Sequence, residues 1–315
     1  MNVFILMVPI LLIVLSGYFS AKLKLFSEES NNTFTRFTFF IAMPCQLFFD
    51  FSHTPVSQAF NIHYIAAFAL TLCITGSFIF FYTRKYLKAS LAESALNVMG
   101  SSQVNTAYFA IPLFILVFNN PTPVIPILIF QVTIVTTIIL LLIEHDVSPK
   151  KQKGRLRLVL NILKIACTTP IIVASLLGVL FSLLHWSLPS FGSKFLGIFG
   201  ATAAPLALFA LGQSLYFDLR KIAKKDLFEL SLLSLSKLFI SPLLAFLIGK
   251  YLFHLGHFWL ASLTIMAAMP APKNMFIFAV KYHLNVKKAS AIVALTTLMS
   301  FITLNILMMV FRSYM

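Results

Sequence analysis

Long uncharged apolar stretches alternate with short polar turns along the whole chain. Each stretch holds about 20 residues, the length that an α-helix needs to cross the hydrocarbon core of a bilayer. The first stretch is expected to be a retained helix, because its positive charges follow its apolar run, and a cleaved signal peptide is the alternative. The pattern predicts ten transmembrane helices, numbered here as spans 1 to 10, at 2–21, 34–53, 62–83, 91–118, 122–144, 158–182, 193–216, 227–251, 258–282 and 289–312.

The composition supports a membrane-embedded protein and excludes a soluble globular one. Of the 315 residues, 59% are hydrophobic and 10% are charged, and the mean hydropathy is +0.93. Soluble domains average about 45–50% apolar and about 25% charged residues. The three cysteines all lie in apolar runs, so neither a disulfide framework nor a zinc site is expected.

The net charge of +15 is better explained by membrane topology than by a nucleic-acid partner. Basic residues cluster in alternate turns, whereas the opposite turns hold only Lys194, Lys250 and Arg312. Because basic residues favour the cytoplasmic side, both termini are expected outside and the loop 147–157 inside, in a cell (inner or plasma) membrane. The clustered residues are Lys22, Lys24, Arg36, Arg84, Lys85, Lys88, Lys150, Lys151, Lys153, Arg155, Arg157, Arg220, Lys221, Lys224, Lys225, Lys281, Lys287 and Lys288.

The basic loop 147–157 divides the ten predicted spans into two halves of five. An odd number of helices per half makes the second half enter the membrane upside down, as in the inverted repeats of secondary transporters. We therefore predict a first repeat at 1–146 and a second, inverted repeat at 158–315. The loop is interpreted as a topogenic charge cluster, with a lipid-binding or regulatory site as the alternative.

Prolines occupy matching positions in the two predicted repeats, in spans 2 and 7 and in spans 4 and 9. Proline removes a backbone donor and clashes with the preceding helical turn. These positions are therefore predicted to interrupt their helices, although ordinary proline kinks are the alternative. The predicted breaks and their supporting residues are Pro44 and Gln46 in span 2, Pro112 in span 4, Pro205 and Gly212 in span 7, and Pro270 and Pro272 in span 9.

Polar residues gather beside the breaks in spans 4 and 9, and polar residues at membrane depth tend to mark a substrate path. The half-helix after each break presents free N–H groups and the positive end of its dipole, which suit an anion. Lys273 adds a positive charge, and Asn105 and Asn274 either bind a carboxylate or cap the broken backbone. The predicted substrate-binding residues are Ser102, Gln103, Asn105, Pro112, Pro270, Pro272, Lys273 and Asn274.

Five short motifs follow one another along nearly the whole chain: MPCQLFF at 43–49, NTAYFAIP at 105–112, APLALFALGQSL at 204–215, KLFISP at 237–242 and PAPKNMFIFAVKY at 270–282. Together they resemble the auxin efflux carrier family of plant auxin carriers and short-loop bacterial relatives. Ala110 stands where the family usually has glycine, and Pro272 and Lys273 also depart from its pattern. The resemblance implies an all-α integral membrane fold of ten helices, related to the bile acid and sodium symporters, in which broken helices 4 and 9 cross near the midplane.

The resemblance also implies a secondary transporter of small organic anions, such as malonate-like or auxin-like carboxylates, that works by alternating access at the crossover. An anion-binding receptor or channel is the alternative. An integral-membrane enzyme is less favoured, because the sequence has no HExxH, GxSxG or Walker A motif and no close pair of carboxylates within a span. No cofactor and no metal site are predicted.

Few residues of the sequence could couple transport to an ion. No acidic residue falls in the middle of a span, and the histidines all lie near the predicted membrane faces. Asp50 and Lys237 are the candidates for coupling to H⁺ or Na⁺, and backbone carbonyls freed at the breaks are the alternative ligands for Na⁺. The expected partners are a small organic anion, the lipid bilayer and one of these ions, with a homodimer as one mode of assembly.

Overall fold

The computed structural model describes residues 3–53, 61–147, 170–219 and 227–311, and within these ranges all regular structure is helical. Most of the loop 147–157 and the first part of span 6 lie outside the described residues. The α-helices are α1 (Val3–Lys22), α2 (Glu28–Phe37), α3 (Met43–Ser52), α4 (Ile62–Lys85), α5 (Leu91–Ser102), α6 (Ile111–Phe118), α7 (Val124–Phe130), α8 (Thr136–Val147), α9 (Pro170–Leu183), α10 (Ser190–Ala201), α11 (Ala203–Leu219), α12 (Leu227–Leu235), α13 (Ser241–Leu247), α14 (His257–Ala267), α15 (Asn274–Lys281) and α16 (Val286–Val310). Five-residue π-helical turns lie at Thr38–Ala42, Thr106–Ala110, Gln131–Val135, Ser236–Ile240 and Ile248–Leu252.

Six helical stretches in the described residues, some counted across short interruptions, are long and apolar enough to cross a membrane. The all-helical membrane architecture predicted from the sequence is thereby confirmed. The number of ten crossings and the inverted repeat at 1–146 and 158–315 stay predictions. The six stretches are Ile62–Lys85, Leu91–Phe118, Val124–Val147, Ser190–Asp218, Phe228–Leu252 and Val286–Val310.

Three of the π-helical turns end two residues before a proline, and at these places the helix continues past the proline. Pro44, Pro112 and Pro242 each occupy the second position of the following α-helix. The wide turn accommodates the proline ring, which would clash with a regular α-helical turn, and its own bonds keep the chain helical. In span 2, for example, Met43 N–H donates to Thr38 O. The structure thus differs from the expectation that Pro44 and Pro112 interrupt their helices.

The interruption in span 4 comes before Pro112, at residues 103–105, where α5 has ended and the next turn has not begun. Gln103 leaves the helix with φ −74° and ψ 158°. Ser102 Oγ donates to Val98 O at 2.6 Å, and such side-chain bonds compete with regular backbone pairing. In span 9 the interruption lies between α14 and α15 and contains Pro270 and Pro272.

Neither Pro205 nor Gly212 interrupts span 7, which is divided only at Thr202. Pro205 is the third residue of α11, where N–H groups have no partner within the helix, so a proline there costs little. Gly212 lies within α11, and a Cβ at this position would collide with the carbonyl of Val14 in α1. Gly212 therefore permits close packing of two helices instead of breaking one.

The first of two compact units lies within Met1–Asn61, Ala107–Ile129 and Ile162–Phe217, so it takes segments from both sides of the loop 147–157. In this unit α3 packs on α9 and α10, and α1 packs on α11. Two buried side-chain hydrogen bonds join its helices, from Asn31 Nδ2 to Ser214 Oγ at 2.9 Å and from Gln213 Nε2 to Ser20 Oγ at 3.2 Å.

The second unit lies within Ile62–Thr106, Phe130–Asn161 and Asp218–Met315, and it contains both helix interruptions. Helix α5 packs between α4 and α8, and α16 packs on α12, α14 and α15. Small side chains let membrane helices approach closely, and they are frequent on the buried face of α16. These buried small residues are Ala289, Ser290, Ala291, Ala294, Thr296, Thr297 and Ser300.

Candidate functional site

The interruptions of spans 4 and 9 meet directly. Asn105 N–H donates to Pro270 O at 2.8 Å. We call the residues 102–106 and 267–274 the junction, and all of them belong to the second unit. Backbone groups freed by a broken helix must form hydrogen bonds with protein, water or ligand at membrane depth. At the junction, a backbone N–H of the span-4 arm pairs with a backbone carbonyl of the span-9 arm.

The extended backbone of the span-4 arm is held by a glutamine from span 5. Val104 N–H donates to Gln131 Oε1 at 2.8 Å, and Gln131 Nε2 donates back to Val104 O at 3.4 Å. Gln131 is buried in a π-helical turn. Gln131 was not predicted from the sequence, although the one amide side chain of span 5 is a signal that could have identified it.

The span-9 arm is anchored by a threonine from span 10. Ala271 N–H, which lies between the two prolines, donates to Thr296 Oγ1 at 3.1 Å. Further along, the carbonyls of Pro272 and Lys273 accept from the N–H groups of Met275 and Phe276, and these bonds start α15. Thr296 was also missed by the sequence reasoning, because threonine is common in membrane helices and its sequence neighbours give it no distinction.

Lys237 lies at the junction, where it contacts the last residue of each broken half-helix. Its Nζ donates to Ala267 O at 3.1 Å and to Ser102 O at 3.4 Å, and its side chain is fully buried. It sits in the π-helical turn that precedes Pro242. The sequence identified Lys237 as a candidate for ion coupling but could not show what it contacts.

Most predicted substrate-binding residues lie at the junction, with different exposure. Ser102, Gln103 and Asn105 are buried, and Pro270 and Pro272 are buried beside them in the other arm. Lys273 and Asn274 are partly exposed at the start of α15, where Lys273 occupies the N-cap position without a side-chain capping bond. Of the predicted set only Pro112 belongs to the first unit, in α6.

Asp50, the other candidate for ion coupling, is held within its own helix. Gln46 Nε2 donates to both carboxylate oxygens of Asp50 at 3.0 Å, one turn apart in α3. Gln46 also packs closely on Gly200 in α10. Gln46 therefore positions the Asp50 carboxylate and does not support a helix break.

An ionic cluster that was not expected lies in the second unit, with Lys288 buried and its two carboxylate partners partly exposed. From the sequence, Lys288 was expected in a cytoplasmic turn, but the structure buries it in α16, with Nζ 2.9 Å from Glu229 Oε1 and 3.6 Å from Glu93 Oε2. Asn97 Nδ2 donates to the same Glu229 oxygen at 2.9 Å. The cluster connects α5, α12 and α16.

Among the described residues no group of three or more histidine, cysteine or acidic side chains could hold a metal ion.

Apolar helices of membrane-spanning length and a charge-poor composition define the class of this protein: it is a multi-pass membrane protein. Residues 2–308 match the model of a family described as membrane transport protein, so the chain belongs to that family. This is the auxin efflux carrier family that the five sequence motifs resemble, and the resemblance is confirmed.

Curated relatives match nearly the whole chain at low identity. A Rhizobium meliloti (strain 1021) protein named "Putative malonate transporter" is 25% identical over 314 residues, covering 98% of this chain and 95% of the relative. An "Uncharacterized transporter" of Methanothermobacter thermautotrophicus is 26% identical over 299 residues, covering 94% of each chain. The "Uncharacterized transporter YfdV" of Escherichia coli (strain K12) is 24% identical over 300 residues, covering 93% of this chain and 92% of its own. The transporter names favour a carrier over an enzyme.

Proposed function

We propose that this protein is a secondary carrier of small organic anions and that the substrate binds at the junction. The observation that carries the proposal is the hydrogen bond from Asn105 N–H to Pro270 O, which brings two helix interruptions together. Interrupted helices meeting inside the bilayer are a recurring substrate site of secondary transporters. In the proposed cycle the junction is exposed alternately to the two sides of the membrane.

The chemistry of the junction favours an anion. The helix that starts at Asn274 directs its positive dipole end toward the interruption. Lys273 at its N-cap is repelled by the same dipole, and an anion bound beside both would remove that repulsion. Asn105, Gln103 and Asn274 provide amide donors for carboxylate oxygens. We propose these four side chains as the principal substrate contacts.

The substrate class that we propose is a small carboxylate of the malonate type. The Rhizobium meliloti relative carries malonate in its name and aligns with almost the whole chain. We further propose an inner or plasma membrane location with both termini outside and the loop 147–157 in the cytoplasm. The predicted repeat at 1–146 would supply the broken span 4, and the predicted repeat at 158–315 would supply the broken span 9.

Counterflow in proteoliposomes tests this function. Liposomes loaded with unlabelled malonate should accumulate labelled malonate when they contain the wild-type protein. Asn105→Ala and Lys273→Ala should each slow the initial rate about tenfold or more, the effect of losing one charge-assisted hydrogen bond. A thermal-shift screen against mono- and dicarboxylates should precede the assay, so that a better ligand can replace malonate.

Two variants control for general damage to the protein. Asn305→Ala removes an amide that, among the described residues, donates only to Phe301 O in its own helix, and Lys250→Ala removes an exposed lysine. Both should keep wild-type counterflow. Ligand binding without counterflow would identify a receptor, flux without exchange would identify a channel, and wild-type rates in Asn105→Ala and Lys273→Ala would remove both residues from the site.

A further inference from the structure

The ammonium group of Lys237 lies where two helices end inside the second unit. Helix α5 ends at Ser102 and helix α14 ends at Ala267, and Lys237 Nζ donates to the carbonyl oxygens of these two terminal residues. The side chain is fully buried. Among the described residues these two carbonyls are its only hydrogen-bond acceptors, and no carboxylate pairs with it.

These two carbonyls are ones that the local backbone leaves available. The last four carbonyls of a helix lack intrahelical partners, and several at the junction are satisfied by the first residues beyond each helix. Gln103 N–H donates to Met99 O, Ala268 N–H donates to Ile265 O, and Met269 N–H donates to Met266 O. No nearby backbone N–H group donates to Ser102 O or Ala267 O among the bonds of the described residues. The ammonium group of Lys237 donates to both instead.

The position is electrostatically suited to a cation. Each helix carries a partial negative charge at its C-terminus, and two such ends lie within reach of one ammonium group. A buried lysine without a carboxylate would ordinarily be costly in a membrane protein, and two carbonyl dipoles with two helix ends offset that cost. In other secondary transporters, unwound carbonyls and half-helix C-termini of this kind hold a Na⁺ ion.

We propose that Lys237 is a built-in cation that replaces a bound monovalent ion at the junction, so that the two half-helices are held together without Na⁺. Lys237 is in this sense a positioning residue for both arms. The proposal concerns the support of the junction and not the substrate, and it does not depend on the proposed function. It predicts that the junction of the wild-type protein needs no bound Na⁺.

Removal of the side chain should leave a site for a small free cation. Wild-type protein purified in detergent should unfold at the same temperature in sodium, ammonium and tetramethylammonium chloride of equal ionic strength. Lys237→Ala should unfold about 5 °C lower in tetramethylammonium chloride, the scale expected for losing one buried charged donor. Sodium or ammonium chloride should restore much of that loss with a saturable concentration dependence. Tetramethylammonium is the reference because it has no N–H donor and is too large for the vacated space.

Two further variants separate charge from other effects of the lysine. Lys237→Gln keeps two N–H donors and most of the side-chain volume but has no charge, so it should be destabilised and should not respond to salt. Lys250→Ala, in the π-helical turn at the end of the same span, should behave as the wild type in all three salts. The two variants are compared directly. A destabilised Lys237→Gln that does not respond to salt supports the proposal when Lys237→Ala does respond to salt.

Several results would overturn the proposal. These are stabilisation of the wild type by sodium over tetramethylammonium, wild-type stability of Lys237→Gln, or an equal loss for Lys237→Ala in every salt. If Lys237→Ala does not survive purification, the folded fraction is measured by fluorescence-detected size exclusion directly after solubilisation in each salt. Recovery of the folded peak only in sodium or ammonium supports the proposal, and equal loss in all three contradicts it. None of these readouts uses malonate, so a failed counterflow assay leaves them unaffected.

Discussion

The backbone at the junction lacks part of its helical hydrogen bonding, and single side chains from other spans replace it. Gln131 provides both an acceptor and a donor for Val104, Thr296 accepts from Ala271, and Lys237 donates to the two helix ends. Unsatisfied backbone groups cost several kcal/mol in hydrocarbon, on the order of the whole value of a hydrogen bond there. Each of these side chains therefore stabilises the interrupted backbone of the junction as well as fixing its conformation.

Gln131→Ala should destabilise the protein by about 1–3 kcal/mol, because it leaves the buried Val104 N–H and carbonyl without partners. Thermal unfolding of the purified protein measures this effect. Thr137→Val is the matched control, since within the described part of the chain Thr137 Oγ1 donates only to Thr133 O, one turn back in the same span. Its loss should cost less than about 1 kcal/mol. Equal destabilisation by the two substitutions would contradict the proposed role of Gln131.

The prolines and glycines of this fold affect the continuity and the packing of whole helices. Their positions in the sequence do not show which of these effects each residue has. Pro44, Pro112 and Pro242 follow π-helical turns and leave their spans helical. Gly212 brings α11 against Val14 of α1, and Gly17 of α1 lies in the same close manner against Phe209. The breaks themselves occur at a polar stretch in span 4 and at closely spaced prolines in span 9.

Gly212→Ala should destabilise the protein by about 1–3 kcal/mol, because the added Cβ would force α1 and α11 apart. A glycine to alanine change in a helix ordinarily stabilises it by about 0.5–1 kcal/mol. Gly197→Ala in α10 should show that ordinary effect, since a Cβ there meets nothing within 4 Å among the described atoms. Thermal unfolding of both variants tests the difference in sign, and stabilisation by Gly212→Ala would disprove the close contact.

At the scale of the whole molecule, the compact units do not follow the division of the sequence at the loop 147–157. Each unit combines segments that precede this loop with segments that follow it. The second unit contains the junction and the cluster of Lys288 with Glu229. Interleaving of this kind is compatible with two sequence repeats, because equivalent helices from each repeat would then share one unit.

The predicted topology can be tested with single cysteines in a background that lacks Cys45, Cys73 and Cys167. Ser187→Cys, in the connection between α9 and α10, should react with a membrane-impermeant maleimide on intact cells. Ser148→Cys, in the loop 147–157, should react only after permeabilisation, because its basic neighbours favour the cytoplasmic side. Labelling of Ser148→Cys on intact cells would reverse the proposed orientation.

The sequence by itself determined that this is a helical membrane protein of the auxin efflux carrier family, and it showed that polar residues gather beside the prolines of spans 4 and 9. The length of apolar stretches, the distribution of charge and short motifs all depend on residues that are close in the chain, so the sequence alone is enough to recognise them. The sequence also identified Lys237 as unusual, because a lysine well inside an apolar span is costly.

Only the tertiary structure decided what these residues contact. It showed that Lys237 joins two helix ends, that Gln131 and Thr296 hold the junction, and that Lys288 is buried against Glu229. It also showed that Pro44 and Pro112 leave their helices continuous and that Gly212 packs against α1. These outcomes depend on which spans lie side by side and which face each presents, and that choice is made by packing between residues far apart in the chain.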